Sequence, residues 1–111
     1  MKTFIKEATI LSVYDFHENE KVFIGDTIYG VVTQDETEQL PPEHRLVSTR
    51  IEKQNGLEFV TKKGAVFVAN DEPSSFELRL YEFVTLREFL LSPEELLELR
   101  ERYALEEGSS H

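Results

Sequence analysis

The chain has 111 residues, with 12 Lys and Arg against 22 Asp and Glu for a net charge of −10, and it contains neither Cys nor Trp. That length supports one domain, expected over residues 1–107, able to bury about two-thirds of its unfolded surface. The missing cysteines exclude a disulfide framework, a thiolate zinc site and a cysteine nucleophile, and the acid excess argues against direct binding of nucleic-acid phosphates.

Residues 3–14 mix Phe4, Ile5, Ile10, Leu11 and Val13 with Thr and charged residues, without clean periodicity, and read as a strand. A turn is expected around His17-Glu18-Asn19-Glu20. The following run, Val22 to Val32, is rich in β-branched and aromatic residues. Gly25 and Gly30 inside it predict a bulge or bend, giving two strands or one strongly bent one. Residues 34–45 carry no apolar period, and Pro41-Pro42 hold the backbone extended, so this is the longest expected loop.

Asn55-Gly56 between two β-rich runs predicts a hairpin with a type I′ turn. In that register Gln54 faces Leu57, Lys53 faces Glu58 and Ile51 faces Val60. Lys62-Lys63-Gly64 turns the chain into Ala65–Ala69, whose unbroken apolar run predicts a strand covered on both faces. After a turn at 70–75, Phe76-Glu77-Leu78-Arg79-Leu80 alternates as a half-buried strand does. Thr85-x-x-Glu88 and Ser92-x-x-Glu95 both match the capping-box pattern, with Pro93 at a first helical position. A helix over 93–105 then carries Leu96, Leu97, Leu99, Tyr103 and Ala104 on one stripe, with Glu98 and Arg102 spaced for an ion pair. Gly108-Ser109-Ser110-His111 reads like a purification-tag remnant.

The expected fold class is therefore α+β: an antiparallel, strongly bent sheet or half-barrel of about five to six strands, with one or two C-terminal helices packed on it. The longest apolar run, Ala65–Ala69, falls far short of the ~20 residues of a membrane-spanning helix. Lys6 and Glu7 interrupt the place where a signal peptide needs its apolar segment. A cytoplasmic setting without membrane contact is the expectation.

Chemistry-bearing motifs are sparse. No His-x-x-x-His, Glu-x-x-His or calcium-loop spacing occurs, and His17 and His44 lie in separate turns, so no metal is expected. No Gly-x-Ser-x-Gly elbow surrounds a serine, and Ser74 and Ser75 read as turn formers after Pro73. Carboxylate pairs carry no signal in a chain with 22 acids. No phosphate-binding glycine loop appears, so neither catalytic residues nor a cofactor are expected. The best basic cluster, Lys62-Lys63, reads as a solvated turn.

The acid itself is the remaining signal. Residues 76–111 alone hold nine acids against four cations. Asp35, Glu36 and Glu38 crowd the long loop, and Asp71 and Glu72 precede Pro73. Acidic surfaces serve solubility in many proteins, but a clustered negative field also steers a cationic partner. The functional expectation is a small acidic immunity protein that neutralises a basic, nuclease-like toxin domain by blocking its active site. Asp35, Glu36, Glu38, Asp71 and Glu72 would bind the partner, with Tyr14, Tyr29 or Tyr81 as aromatic anchors. The alternatives are a phage- or plasmid-encoded DNA mimic that inhibits a defence enzyme, and a small-barrel protein-interaction adaptor.

Overall fold

A computed structural model describes residues 1–109, with side chains through Tyr103. Seven strands are followed by two helices: β1 (Lys2–His17), β2 (Glu20–Asp35), β3 (Arg45–Val47), β4 (Ile51–Asn55), β5 (Glu58–Thr61), β6 (Val66–Ala69), β7 (Ser74–Arg79), α1 (Leu80–Phe89) and α2 (Pro93–Ser109). The architecture is α+β, with a strongly curved, open sheet. Its order is β3-β2-β1-β6-β5-β4, with β7 also on β1. Two features refine the expectation: there are seven strands, and β6 and β7 both pair with β1 in parallel.

β1 and β2 form a hairpin of two 16-residue strands that organises everything else. Its turn, Glu18-Asn19, has positive φ at both residues (51° and 68°), the type I′ geometry that matches strand twist. Val22–Val32 belongs to one continuous strand, bent by three register shifts. Ile24, beside Gly25, is the extra residue of one. In another, Glu7 and Ala8 together oppose Gly30, and Glu7 takes φ 54°. A Cβ on Gly30 would lie 2.6 Å from Ile5 Cδ1 and 2.8 Å from its Cβ, so the bend requires glycine there.

That bulge explains the missing periodicity. Before it, Ile5 points into one core; after it, Ala8 does, three residues on, so the alternation changes phase. The curl of the sheet encloses Ile5, Ala8, Ile28, Val32, Leu46, Phe59 and Ala69. The opposite face of β1 and β2 packs Leu11, Val13, Tyr29 and Val31 against Leu78 of β7 and against Leu86 and Leu96 of the helices. Thr27 to Val32 are six consecutive buried residues because both faces of β2 are covered there.

The second hairpin is present in a shifted register. Asn55 pairs with Glu58, Gln54 with Phe59 and Lys53 with Val60, so the turn residues are Gly56 and Leu57. Gly56 alone takes positive φ (62°), as a II′ turn requires at its first central position. The slip places Phe59, which is fully buried, in the core. The run from Leu46 to Lys53 is broken: β3 joins β2, and the chain then crosses to start β4. Val66, Phe67 and Val68 are only half-buried, because the helices cover the far end of the sheet.

Of the two capping boxes, Ser92 and Glu95 form one. The Ser92 N–H donates to Glu95 Oε1 (2.8 Å) and the Glu95 N–H to Ser92 Oγ (3.1 Å). Thr85 instead lies inside α1 and donates to the Tyr81 carbonyl. α1 begins six residues earlier than that pattern implies, where the Arg79 N–H donates to Glu82 Oε1 (2.9 Å). Leu97 and Tyr103 are exposed while Leu96 is buried, so the buried stripe of α2 is narrower than expected. Arg102 makes no ion pair with Glu98 among the described residues; Arg100 pairs with Glu82 instead. Gly108 and Ser109 continue α2, whereas Ser110, His111 and the Ala104 side chain lie outside the described residues.

Candidate functional site

β1 carries β2 on one edge and, on the other, β6 opposite Lys2–Ile5 and then β7 opposite Thr9–Tyr14. The gap between β6 and β7, Asn70 to Pro73, therefore falls opposite the Glu7 bulge. A cleft of about 480 Å³ opens there, lined by Glu7, Ala8, Thr9, Tyr29, Val31, Arg45, Asp71, Glu72, Ser74, Ser92 and Glu94. Two of its carboxylates come from the strand interruption, one from the bulge and one from the first turn of α2.

The side chains of Glu7, Asp71, Glu72 and Glu94 make no ion pair or hydrogen bond among the described residues. Among the described residues Arg45 is the only cation lining the cleft, and it is engaged elsewhere. Its Nη1 donates to Glu95 Oε1 (2.5 Å) and to the Leu90 carbonyl (3.1 Å). Those contacts hold α2 against the β3 end of the sheet and leave the cleft electronegative. Tyr29, 3% exposed, reaches it from the core. Its hydroxyl has no hydrogen-bond partner among the described residues. Burial raises the phenol above its ordinary value; Arg45 pulls it down, and Glu7, Glu94 and Glu95 push it up. A neutral phenol amid unneutralised carboxylates accepts cationic donors and repels anions.

The five residues expected to bind a partner divide into two groups. Asp71 and Glu72 enter the cleft, both exposed. Asp35, Glu36 and Glu38 lie at the Lys2 end of the sheet, about five residues or ~17 Å further along β1 and on its β2 edge.

Asp35 is occupied internally. Its carboxylate accepts from Thr3 Oγ1 (2.8 Å), Thr37 Oγ1 (2.7 Å) and the N–H groups of Thr37, Gln39 and Leu40. Burial opposes ionisation there, but the Thr37 and Thr3 hydroxyls and the N–H groups of Thr37 and Leu40 outweigh it, holding the carboxyl far below its ordinary value. The consequence is that the long segment is not a free loop. Besides Asp35, the Glu43 N–H bonds Val32 O, the Val32 N–H bonds His44 O, and Glu43 pairs with Lys6 at 2.8 Å. Glu36 accepts the Lys2 N–H, while Glu38 is exposed at φ 59°.

Sequence reasoning missed Glu7, Glu94 and Arg45 as parts of a site. One signal was available: Ile5 and Ala8 need a three-residue step to share a face, which marks a bulge at Glu7, and Gly30 stands opposite. Among the described residues no group of three or more His, Cys, Asp or Glu could hold a metal ion. No helix among them is long and apolar enough to cross a membrane. Comparison of the chain with family models, curated proteins and solved structures returns no match.

Proposed function

We propose that this chain is a binding inhibitor of a basic enzyme, of the immunity-protein kind: a cytoplasmic antidote that covers the cationic cleft with which a nuclease-like toxin domain holds its phosphate substrate. The observation that carries this reading is the convergence of Glu7, Asp71, Glu72 and Glu94 on one cleft, with no internal counter-charge left over. Four carboxylates lining one cleft attract a cationic partner, which gains charge-assisted hydrogen bonds from those groups.

In this reading the partner's Lys or Arg side chains enter the cleft. The carboxylates take the charge, and the Tyr29 hydroxyl accepts one N–H. Toxin side chains held this way no longer meet phosphate, so inhibition needs no catalytic residue and no cofactor in this chain. Glu36 and Glu38 extend the negative field from the far end of the sheet and speed encounter rather than fix the complex. Tyr81, 64% exposed on α1, lies outside the cleft and is not an anchor for this contact. Convergence into a pocket favours this reading over DNA mimicry, which calls for carboxylates set at phosphate-like intervals along an extended face.

The test is titration of the purified chain into a basic nuclease domain encoded next to its gene, at low and high salt, with nuclease activity as the readout. Asp71→Asn, Glu72→Gln and Glu94→Gln together are expected to weaken inhibition at least ~100-fold. Neutralising Glu36 and Glu38 should slow association while changing the final affinity several-fold at most. Inhibition that survives the triple neutralisation intact would remove the proposal.

A further inference from the structure

The cations of this acidic chain are not shared out evenly. Lys2, Lys6, Lys21, Arg45, Arg79 and Arg100 each hold a carboxylate. The other six hold none among the described residues, in a protein with 22 acids available; Lys53, Lys62, Lys63 and Arg102 are scattered, whereas Arg50 and Arg87 come together. Both line the same groove, of about 210 Å³, between β2, the turn joining β3 to β4, and α1. The groove floor is apolar, built from Val13, Ile24, Leu80 and Phe83. Gly25 makes room for one of the guanidinium groups: Arg50 Nε lies 3.0 Å from where a Cβ would stand.

Thr27 supplies an independent observation. It lines this groove and is 6% exposed, and its hydroxyl has no hydrogen-bond partner among the described residues. A buried hydroxyl without a partner costs about 1–3 kcal/mol, and Val in its place would avoid that. A third feature concerns the backbone. β3 pairs with β2 at Tyr29–Val31, and Ser48 bonds Ile28, so the outer edge of β2 before Thr27 forms no ladder with a second strand among the described residues. An unpaired edge of this kind accepts an extended chain.

We propose that this groove binds the carboxyl-terminal residue of an extended peptide. The last side chain rests on Leu80 and Phe83, and the terminal carboxylate lies between Arg50 and Arg87. The Thr27 hydroxyl donates to that carboxylate, and the peptide backbone follows the free edge of β2. The volume holds one aliphatic residue with its carboxylate and little more, which makes the site selective for a chain end. The cleft around Tyr29 has the opposite charge and takes no part, so this inference stands apart from the inhibitor reading.

An N-acetylated hexapeptide ending in Thr-Val-Leu with a free carboxylate serves as the probe, titrated into the full chain and followed by backbone amide shifts. Saturable shifts at Ile24, Gly25, Thr27 and Leu80 are expected. The same peptide with an amidated end should bind at least ~10-fold more weakly. Arg50→Gln and Arg87→Gln should each weaken the free acid several-fold without lowering the melting temperature. Thr27→Val should weaken it while holding or raising that temperature, which separates lost binding from lost fold. Equal binding of acid and amide, shifts confined to the Tyr29 cleft, or no saturable shift would each overturn the proposal.

Discussion

The carboxylates of the Asp35 segment and those of the Tyr29 cleft are equally acidic in sequence and opposite in use. Asp35 gathers five donors and fastens a nine-residue connection, 36–44, to the sheet. Glu82 does the same in the helical layer: it is 7% exposed, takes Arg100 Nε at 2.5 Å and Nη2 at 2.8 Å, and closes the start of α1. Burial opposes its ionisation, but the bonds from Arg100 and the Arg79 N–H outweigh it and hold the carboxyl below its ordinary value. Glu7, Asp71, Glu72 and Glu94 have no such partners. Counting acids therefore says little about function; which of them the fold has already spent says much more.

The strongest way to break this contrast is to remove the bulge that makes the cleft. Gly30→Ala should cost about 2–3 kcal/mol, because its methyl meets Ile5 in a core without slack; thermal unfolding would register it. Next comes Glu82→Gln, expected to cost about 2 kcal/mol. It leaves Arg100, itself partly solvated, with two of its three acceptors, the Glu77 carbonyl being one, and the Arg79 N–H poorly matched; chemical denaturation measures the loss.

Acid sharpens the same comparison. Both Asp35 and Glu82 have depressed folded-state pKa values, against ordinary values of 3.8 and 4.5. Their contribution is fully present above those ordinary values and is lost as pH falls below them toward the folded-state values. The unfolding free energy should accordingly fall between about pH 4.5 and pH 3 in the wild type, and fall less in Glu82→Gln. An identical pH profile for the two proteins would contradict the assignment.

Smaller effects separate the two regions further. Asp35→Asn should cost about 1 kcal/mol overall, with faster hydrogen exchange at the Gln39 and Leu40 amides as its specific mark. Asp71→Asn combined with Glu72→Gln should change stability by less than about 0.5 kcal/mol, since both side chains are exposed and hold no partner among the described residues. A clear destabilisation there would mean that the cleft acids are structural after all.

Much of the fold could be read from local chemistry. The Ser92–Glu95 cap, the Glu18-Asn19 turn, the alternation around Phe76–Leu78 and the bends near Gly25 and Gly30 all depend on neighbours in sequence. What escaped depends on partners far away. The second hairpin slipped because burying Phe59 outweighed the I′ preference of Asn55-Gly56 for its central positions. Thr85-x-x-Glu88 failed as a cap because Arg79 and Glu82, backed by Arg100 from the next helix, start α1 earlier.

The site was half legible for the same reason. Asp71 and Glu72 sit in a turn that the sequence marks plainly. Glu7 joins them only through the parallel pairing of β6 and β7 along β1, and Glu94 only through the docking of α2 by Arg45, relations no local pattern encodes. Asp35 looked available although four of its five donors, from Thr37, Gln39 and Leu40, lie within five residues of it. Thr37 two positions on was a legible sign of an Asx-type turn, and only Thr3 is distant in sequence. The apolar groove that would have favoured an adaptor reading also exists, beside the cleft and not instead of it.

The bulge at Glu7 carries one more implication. One surplus residue in β1 decides which side chains of its distal half look toward the curl and which toward the helices. Deleting Ala8 would leave the composition almost untouched yet exchange the two audiences: Ile10 would turn to the helical layer, and Leu11 and Val13 away from it. A chain whose inside and outside hinge on a single position tolerates substitutions along that strand far better than it tolerates a change in its length.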